Sequence, residues 1–279
     1  MGEIRFDGQV VLVTGAGRGL GRAYALGFAR RGATVVVHDA GVSRDGTGRD
    51  RSVADSVVRE IVSVGGVAIA MYQDISRADA CRELVREVSG RLGRIDVLVN
   101  NAGIVRRDTT TGMPPETFSS IFAINAESSL WMTQAVIPIM ERQDYGRIVF
   151  TTSGHGLSPS NRPNDLVAYG MSKAAVFGLM NQLAGSFDST DIQVNCISPV
   201  AATRVFSREV GEREFTPEQV APGVLYLASK EMDESGIVLT SADGRFSIRR
   251  LVRTPGVEFG SEPTSPEAIR DRWGEIVAE

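Results

Sequence analysis

A tyrosine and a lysine, four residues apart, form the first pair in this sequence that could move a proton. Tyr169 and Lys173 lie near the predicted start of a helix, so their side chains share one helix face. A phenol with its ordinary pKa of ~10 is a poor proton shuttle at neutral pH. A nearby cation stabilises the phenolate, so we expect Lys173 to lower the pKa of Tyr169 and make it a general acid and base.

Two further polar residues could complete a catalytic site around this pair. Ser153 ends a predicted strand, and its hydroxyl could hydrogen-bond the substrate oxygen that Tyr169 protonates. Asn125 lies within a predicted helix, where its poor helix propensity calls for a structural reason. His155 is another candidate acid or base, but no partner stands at a recognisable spacing, and we interpret it as a loop histidine. Because exposed helices often carry Tyr-x-x-x-Lys, that pair alone does not establish a site.

A glycine-rich turn offers a different kind of site, one for phosphates. The run Thr14-Gly-Ala-Gly-Arg-Gly-Leu-Gly21 joins a predicted strand to a predicted helix. Gly15 allows the tight turn, Gly19 lets the backbone approach a diphosphate, and Gly21 allows close packing of the helix on the strand. Free amides and the positive dipole at the helix start favour the diphosphate. The spacing differs from G-x-G-x-x-G, and no Gly-Lys-Ser/Thr follows for a P-loop.

Asp39 and Arg18 give opposite indications about the adenine ribose of a dinucleotide. Asp39 ends the second predicted strand, where a carboxylate can accept both ribose hydroxyls and repel a 2′-phosphate. Arg18 lies inside the glycine turn and could bind that phosphate. We favour NAD as the cofactor, because desolvating a carboxylate beside a phosphate costs more than leaving one arginine in solvent. NADP stays open because of Arg18.

Strands and helices that would position these residues alternate along the chain. Apolar β-branched runs predict strands at 9–14, 34–38, 67–71, 95–100, 147–152, 192–198 and 236–240. Helices are predicted near 19–31, 52–64, 77–91, 115–141, 168–187 and 217–229. The strands lack polar alternation, so both faces are covered, which predicts an α/β fold: a doubly wound parallel sheet of Rossmann type, with about seven strands and helices on both faces.

The same pattern predicts one catalytic domain over residues 1–279, with an irregular tail over 241–279. Two long loops, 40–51 and 154–167, follow strands at the edge where such sheets bind ligands. A substrate pocket is expected between residues 104–112, 154–167 and 201–215. We assign no metal ligand.

Composition narrows the class of protein further. The 279 residues carry 30 Lys and Arg against 34 Asp and Glu, and 42% are hydrophobic, which excludes disorder and coiled coil. A net charge of −4 without a basic block argues against nucleic-acid and membrane partners. Cys81 and Cys196 indicate free thiols in a reducing compartment. We therefore expect a cytoplasmic protein that acts on a small molecule.

Taken together, these motifs resemble the short-chain dehydrogenase/reductase family over roughly residues 6–240. The resemblance implies a dehydrogenase or reductase dependent on NAD(P), with a catalytic tetrad of Asn125, Ser153, Tyr169 and Lys173. Tyr169 would be the acid and base, Lys173 would tune it and bind the ribose, and Ser153 would orient the carbonyl. Asn125 would hold a relay water. The cofactor-binding residues so assigned are Gly15, Arg18, Gly19, Leu20, Asp39, Asp74, Ile75, Asn101, Ala102, Gly103, Tyr169, Lys173, Pro199 and Val200.

Within that family, the sequence resembles the (3R)-hydroxyacyl-CoA dehydrogenase part of peroxisomal multifunctional enzyme type 2 and its bacterial relatives. The segments that carry this likeness are Arg5–Gly8, Gly15–Leu26, Val35–Asp39, the 41–48 loop, Tyr145–Ile148 and Pro217–Pro222. It implies a 3-hydroxyacyl-CoA substrate, for which Arg245, Arg249, Arg250 and Arg253 could bind CoA phosphates.

Alternative interpretations of the substrate and of the protein's role are also compatible with the sequence. A hydroxysteroid or another hydrophobic cyclic alcohol is the alternative substrate, and the four arginines could instead be a solvated or subunit-facing strip. A non-catalytic dinucleotide-binding regulator is disfavoured because all four tetrad positions are filled. Two departures from the family pattern are Val200 after Pro199 and a longer spacing between Ser153 and Tyr169. The resemblance also implies a homodimer or homotetramer.

Overall fold

Short runs of β-branched residues form the central sheet. The computed structural model describes residues 2–43, 46–159, 165–187, 189–201, 216–242 and 244–278. The strands are β1 (Val10–Thr14), β2 (Thr34–His38), β3 (Val67–Met71), β4 (Val97–Asn100), β5 (Gly146–Thr151), β6 (Ile192–Val200), β7 (Val238–Ala242) and β8 (Arg245–Arg249). Their order across the sheet is β3-β2-β1-β4-β5-β6-β7-β8, and β1 to β7 pair in parallel.

This topology confirms the prediction of a doubly wound parallel sheet. Strand order reverses between β1 and β4, which is where such sheets bind ligands at their carboxyl ends. The described residues contain one strand more than the seven expected. The additional strand is β8, which has mostly exposed side chains and therefore lacks the apolar run that marks the others.

Helices cover both faces of the sheet. Val11 and Val13 of β1 belong to a buried cluster on one face, whereas Leu12 belongs to the cluster on the other. The helices are α1 (Gly19–Arg30), α2 (Ser52–Ser63), α3 (Ala78–Leu92), α4 (Pro115–Phe122), α5 (Ser128–Gln143), α6 (Gly154–Leu157), α7 (Val167–Ala184), α8 (Pro217–Leu227), α9 (Pro266–Asp271) and α10 (Trp273–Ile276). Helices α1, α2 and α8 pack on the first face, and α3, α5 and α7 on the second.

Two local features differ from the predicted helices. The long helix expected over 115–141 is divided by a π-helical turn at Ala123–Glu127, and it continues to Gln143. Helix α6 lies within the predicted 154–167 loop and has only four residues. A helix this short leaves no hydrophobic period to detect.

Met1–Ile248 and Arg249–Glu279 are two separate compact units. The second unit contains α9 and α10, where the sequence predicted an irregular tail. Its Thr254 hydroxyl donates to the Ile276 carbonyl at 2.7 Å, which joins the two ends of that unit. A single catalytic domain over the whole chain stays a prediction. Among the described helices, none combines the length and the apolar character needed to cross a bilayer.

Candidate active site

The glycine turn between β1 and α1 is shaped by close backbone approaches. Gly15 has a φ of +65°, and a Cβ there would lie 2.9 Å from the Cα of Ala102. A Cβ on Gly21 would collide with the Gly15 carbonyl oxygen and lie 2.6 Å from Nδ2 of Asn101. Helix α1 begins at Gly19, and its N-cap residue Arg18 supplies no side-chain cap. The first amides of α1 are therefore free of that cap and available to an anion.

Asp39 is buried at the end of β2, and backbone amides hold both of its carboxylate oxygens. Gly17 N donates to Oδ2 at 2.9 Å, and Gly41 N donates to Oδ1 at 2.8 Å. These bonds fix the orientation of the carboxylate beside the glycine turn. Arg18, the opposing candidate, donates from Nη1 to the Val42 carbonyl at 3.2 Å.

Asp74 follows β3 and is held by two partners. Its Oδ1 accepts from the amide and hydroxyl of Ser76, and its Oδ2 accepts from Arg49 Nη2 at 2.6 Å. Burial raises the pKa of the Asp74 carboxyl, but the bonds from Ser76 and Arg49 outweigh it, so that pKa lies below its ordinary value. The neighbouring Ile75 is buried in the core beneath.

The residues after β4 are tied to the glycine turn through Thr14. The Thr14 hydroxyl accepts from the amides of Asn101 and Ala102 at 3.0 and 3.1 Å. Asn101 Nδ2 donates to the carbonyls of Thr14 and Gly15 at 3.0 and 3.1 Å. The Asn101 side chain, a predicted cofactor contact, therefore braces the turn. Among the other predicted contacts, Leu20 is partly buried in α1, and Pro199 and Val200 end β6, with Val200 largely exposed.

Asn125 lies in the π-helical turn, and its carboxamide is bonded on both sides. Oδ1 accepts from the Ile104 amide at 2.8 Å, and Nδ2 donates to the Ile104 carbonyl at 3.0 Å and to the Ser172 hydroxyl at 3.1 Å. A Cβ on Gly103 would come within 3.3 Å of Oδ1 of Asn125 and 3.7 Å of Nζ of Lys173. Asn125 thus joins the segment after β4 to α7, which supplies the structural reason that its position called for.

Lys173 is only 4% exposed and turns its ammonium toward the end of β5. Nζ donates to the Thr151 carbonyl at 2.9 Å and lies 5.8 Å from the centre of the Tyr169 ring. The Thr152 hydroxyl donates to the Lys173 carbonyl at 2.8 Å and so joins α7 to the same strand end. Burial lowers the pKa of Lys173 to about 8.

Tyr169 is 7% exposed and packs with Val105 and Leu166. Burial raises its pKa to about 12, and a hydrogen bond with Ser153 opposes that rise only in part. The expectation that Lys173 lowers the pKa of Tyr169 below its ordinary value is therefore wrong for this chain. Desolvation of the phenolate outweighs the hydrogen bond with Ser153. At neutral pH the phenol holds its proton.

His155, which the sequence predicts on a loop, lies on α6 beside the tyrosine. Its amide donates to the Ser153 hydroxyl at 3.3 Å, and its ring meets that of Tyr169 edge to face with centres 6.2 Å apart. Helix α6 approaches α7 closely, since a Cβ on Gly156 would lie 2.5 Å from the Ala174 amide nitrogen. Gly156, which follows His155, was the sequence signal that could have indicated this close packing.

The residues present fit a bound dinucleotide. The glycine turn packs its backbone too closely on neighbouring residues for any Cβ at Gly15 or Gly21, the start of α1 presents amides, and the oriented carboxylate of Asp39 lies next to that turn. The tetrad lies on the β4 and β5 side of the same sheet edge, where Gly103 lies beside Asn125 and Lys173. Of the predicted substrate pocket, residues 160–164 and 202–215 lie outside the described residues.

Comparison with known proteins indicates the same family that the sequence motifs resemble. A family model described as short chain dehydrogenase matches residues 9–214. The chain is 40% identical over 278 residues to peroxisomal multifunctional enzyme type 2 of Mus musculus, covering 98% of this chain but 37% of that protein. It is 36% identical to a short-chain type dehydrogenase/reductase of Mycobacterium tuberculosis, covering 96% of this chain and 93% of that one. A 3-oxoacyl-[acyl-carrier-protein] reductase of Synechocystis is 35% identical, with 79% and 89% covered.

Solved structures agree in fold and differ in cofactor. A short chain dehydrogenase from Mycobacterium avium superposes with a TM-score of 0.84 at 31% identity, over 98% of this chain and 95% of that one. A metagenomic short-chain oxidoreductase in complex with NADP gives 0.69 at 31% identity, over 82% and 94%. A 7α-hydroxysteroid dehydrogenase with NADH and 7-oxo glycochenodeoxycholic acid gives 0.76 at 31% identity, over 86% and 95%.

Proposed function

The chain belongs to the short-chain dehydrogenase family, whose members are NAD(P)-dependent oxidoreductases, and from that premise we propose that it interconverts 3-hydroxyacyl and 3-oxoacyl thioesters with NAD(H). The observation that carries the reaction type is the buried Tyr169, bonded to Ser153 and next to the ammonium of Lys173. Oxidation of a secondary alcohol requires a group that takes the hydroxyl proton, and reduction requires the same group to return it.

The bound dinucleotide supplies the acceptor or donor of hydride. The chain's own residues orient the substrate oxygen and move its proton. The Ser153 hydroxyl, set by the start of α6, hydrogen-bonds the carbonyl oxygen, and the Tyr169 phenol donates its proton to that oxygen during reduction. One donor of Lys173 is held by the Thr151 carbonyl, which leaves two for the phenol and for a ribose. Asn125 keeps the segment after β4 in place against α7.

A thioester substrate is supported by the relatives. The likeness to peroxisomal multifunctional enzyme type 2 spans nearly the whole chain, and a 3-oxoacyl-[acyl-carrier-protein] reductase is also similar. The similarity to a hydroxysteroid dehydrogenase supports the alternative of a hydrophobic cyclic alcohol.

Kinetics with matched substrates decide between these classes. We expect kcat/KM for a 3-oxoacyl-CoA to exceed that for the corresponding simple ketone by at least about tenfold. Contacts with the CoA part, far from the reacting carbonyl, raise kcat/KM only in an enzyme that binds CoA. The measurement is NADH consumption with both substrates and with a 7-oxosteroid. Equal kcat/KM for thioester and simple ketone, or a preference for the steroid, would contradict the thioester proposal.

We propose NAD rather than NADP because of Asp39. Its carboxylate is held by two backbone amides and cannot turn away from a 2′-phosphate without losing both bonds. We expect kcat/KM for NAD to exceed that for NADP by at least about tenfold. In Asp39→Asn, which removes the charge and replaces one accepting oxygen by an amide nitrogen, so that only one of the two backbone bonds is kept, the ratio should fall. A wild-type preference for NADP, or an unchanged ratio in the variant, would contradict this assignment.

The family resemblance also leads us to propose a homodimer or homotetramer formed through α5 and α7. Leu130 of α5 and Met171 of α7 are exposed apolar residues, and Ala175 is exposed on the same helix as Met171, which supports an interface there. A cytoplasmic location stays a prediction.

A further inference from the structure

The glycine-rich segment between β2 and α2 is a loop whose two ends touch. Gly41 has a φ of +70°, and a Cβ there would collide with the Asp50 backbone, so only glycine fits. The described part consists of residues 41–43 and 46–50, called the 41–50 loop below. Within it, the Ser43 amide and hydroxyl donate to the Thr47 carbonyl at 2.7 and 2.9 Å, and the Gly46 amide donates to the Ser43 carbonyl at 3.1 Å.

This loop crosses the end of β1. It leaves the sheet after β2, yet a Cβ on Gly46 would lie 3.3 Å from Ile104, after β4, and 3.9 Å from Ile124 in the π-helical turn. In the sheet, β1 lies between β2 and β4. The described residues of the loop therefore extend from β2 to residues that follow β4, across the carboxyl end of β1. That is the edge at which the glycine turn begins.

Two arginine contacts hold the 41–50 loop in this position. Arg18, from the glycine turn, donates to the Val42 carbonyl at 3.2 Å. Arg49 donates to the Asp74 carboxylate at 2.6 Å, and that carboxylate, a predicted cofactor contact, follows β3. The loop is thus held near the turn, near Asp74, and against the isoleucines next to Asn125.

We propose that the 41–50 loop lies across the bound dinucleotide and that Arg49 is a positioning residue whose ion pair with Asp74 slows cofactor release. The proposal rests on the proposed function, because it requires that the chain binds NAD(H). Release of the dinucleotide from the carboxyl edge of the sheet then requires the loop to move and the Arg49–Asp74 pair to open. Gly41 and Gly46 allow the backbone to follow this edge, which accounts for two glycines that the catalytic residues do not explain.

The test is the rate of NADH release, measured by stopped-flow fluorescence on the full chain when excess NAD displaces NADH. In Arg49→Gln, release should become about two- to fivefold faster, the range that an exposed ion pair supports. Rising salt should speed release from the wild type and change it less in the variant. The matched control is Arg91→Gln, because Arg91 pairs with Glu87 at 2.6 Å with similar exposure but lies on α3.

The outcomes separate this proposal from the function on which it rests. Faster release from Arg49→Gln alone, with the thermal unfolding temperature of the ligand-free variant unchanged, supports it. If the wild type binds no NADH, the proposed function fails first. If it binds NADH and both variants release it at the wild-type rate, the positioning role of Arg49 is wrong. Faster binding of NADH to Arg49→Gln with unchanged release would also overturn it, since the loop would then block entry.

Discussion

Replacing Tyr169 by phenylalanine is expected to lower kcat by about 10²- to 10⁴-fold while NADH binding stays near the wild-type value. The substitution removes only the hydroxyl that carries the proton. The ring packs against Val105 and Leu166, and phenylalanine preserves those contacts. Steady-state rates in both directions, with NADH affinity measured by fluorescence, separate loss of proton transfer from loss of binding.

The control for this experiment is Tyr226→Phe, which removes the same hydroxyl from a half-exposed tyrosine on α8. We expect that variant to keep wild-type rates. Wild-type turnover in Tyr169→Phe would remove Tyr169 as the acid and base.

The pH dependence of the wild-type enzyme is a second readout of the same residue. Because the pKa of Tyr169 is raised to about 12, the phenol is protonated at neutral pH and ready to donate during ketone reduction. Alcohol oxidation needs the phenolate, so its kcat/KM should rise about tenfold per pH unit between about pH 6 and 8. Above this range the rise should weaken, since Lys173, with a pKa of about 8, loses the charge that stabilises the phenolate. A flat oxidative profile would contradict this role.

Replacing Gly21 by alanine is expected to weaken NADH binding by about 10- to 100-fold. The new methyl group would collide with the Gly15 carbonyl oxygen, which Asn101 Nδ2 holds at 3.1 Å. To make room, the glycine turn must shift, and overpacking of this kind costs about 1–3 kcal/mol. The shift would occur where the first amides of α1 face the diphosphate, so NADH binding should weaken in addition to the loss of folding stability.

Gly90→Ala is the matched control, because Gly90 lies inside α3 and a Cβ there meets nothing within 4 Å. It should bind NADH normally and raise the free energy of unfolding by up to about 1 kcal/mol, the difference in helix propensity. Titration of NADH fluorescence and thermal unfolding of both variants check this pair. A Gly21→Ala protein that binds NADH as tightly as the wild type would show that the turn is not the diphosphate site.

The central strands of the sheet were predictable because they are buried on both faces. Runs such as Val10–Thr14 and Thr34–His38 are short, continuous and β-branched, a pattern that needs no tertiary information, and the predicted boundaries differ by at most a few residues. The glycine turn was predictable for the same reason, since its spacing between a strand and a helix is local. In contrast, β8 carries mostly exposed residues and α6 has only four residues. Neither element therefore shows a hydrophobic pattern that could be detected in the sequence.

Features that depend on distant partners could not be predicted. The π-helical turn exists where Asn125 bonds Ile104 and Ser172, residues remote from it in sequence. Arg49 and Asp74 are likewise brought together only by the sheet. The pKa of Tyr169 was predicted in the wrong direction because the cation four residues away is visible in the sequence, whereas the burial that raises this pKa is not.

The most direct test of the proposed reaction is a single turnover of enzyme-bound NADH with a short 3-oxoacyl-CoA, followed by NADH fluorescence and by identification of the product. We predict that the wild type oxidises its bound NADH and forms the 3-hydroxyacyl-CoA in equal amount. Tyr169→Phe should bind NADH equally well and oxidise it at least about a hundredfold more slowly. Bound NADH that is not consumed by the wild type, or is consumed equally fast by Tyr169→Phe, would contradict the assignment of this chain as a thioester oxidoreductase with Tyr169 as its proton donor.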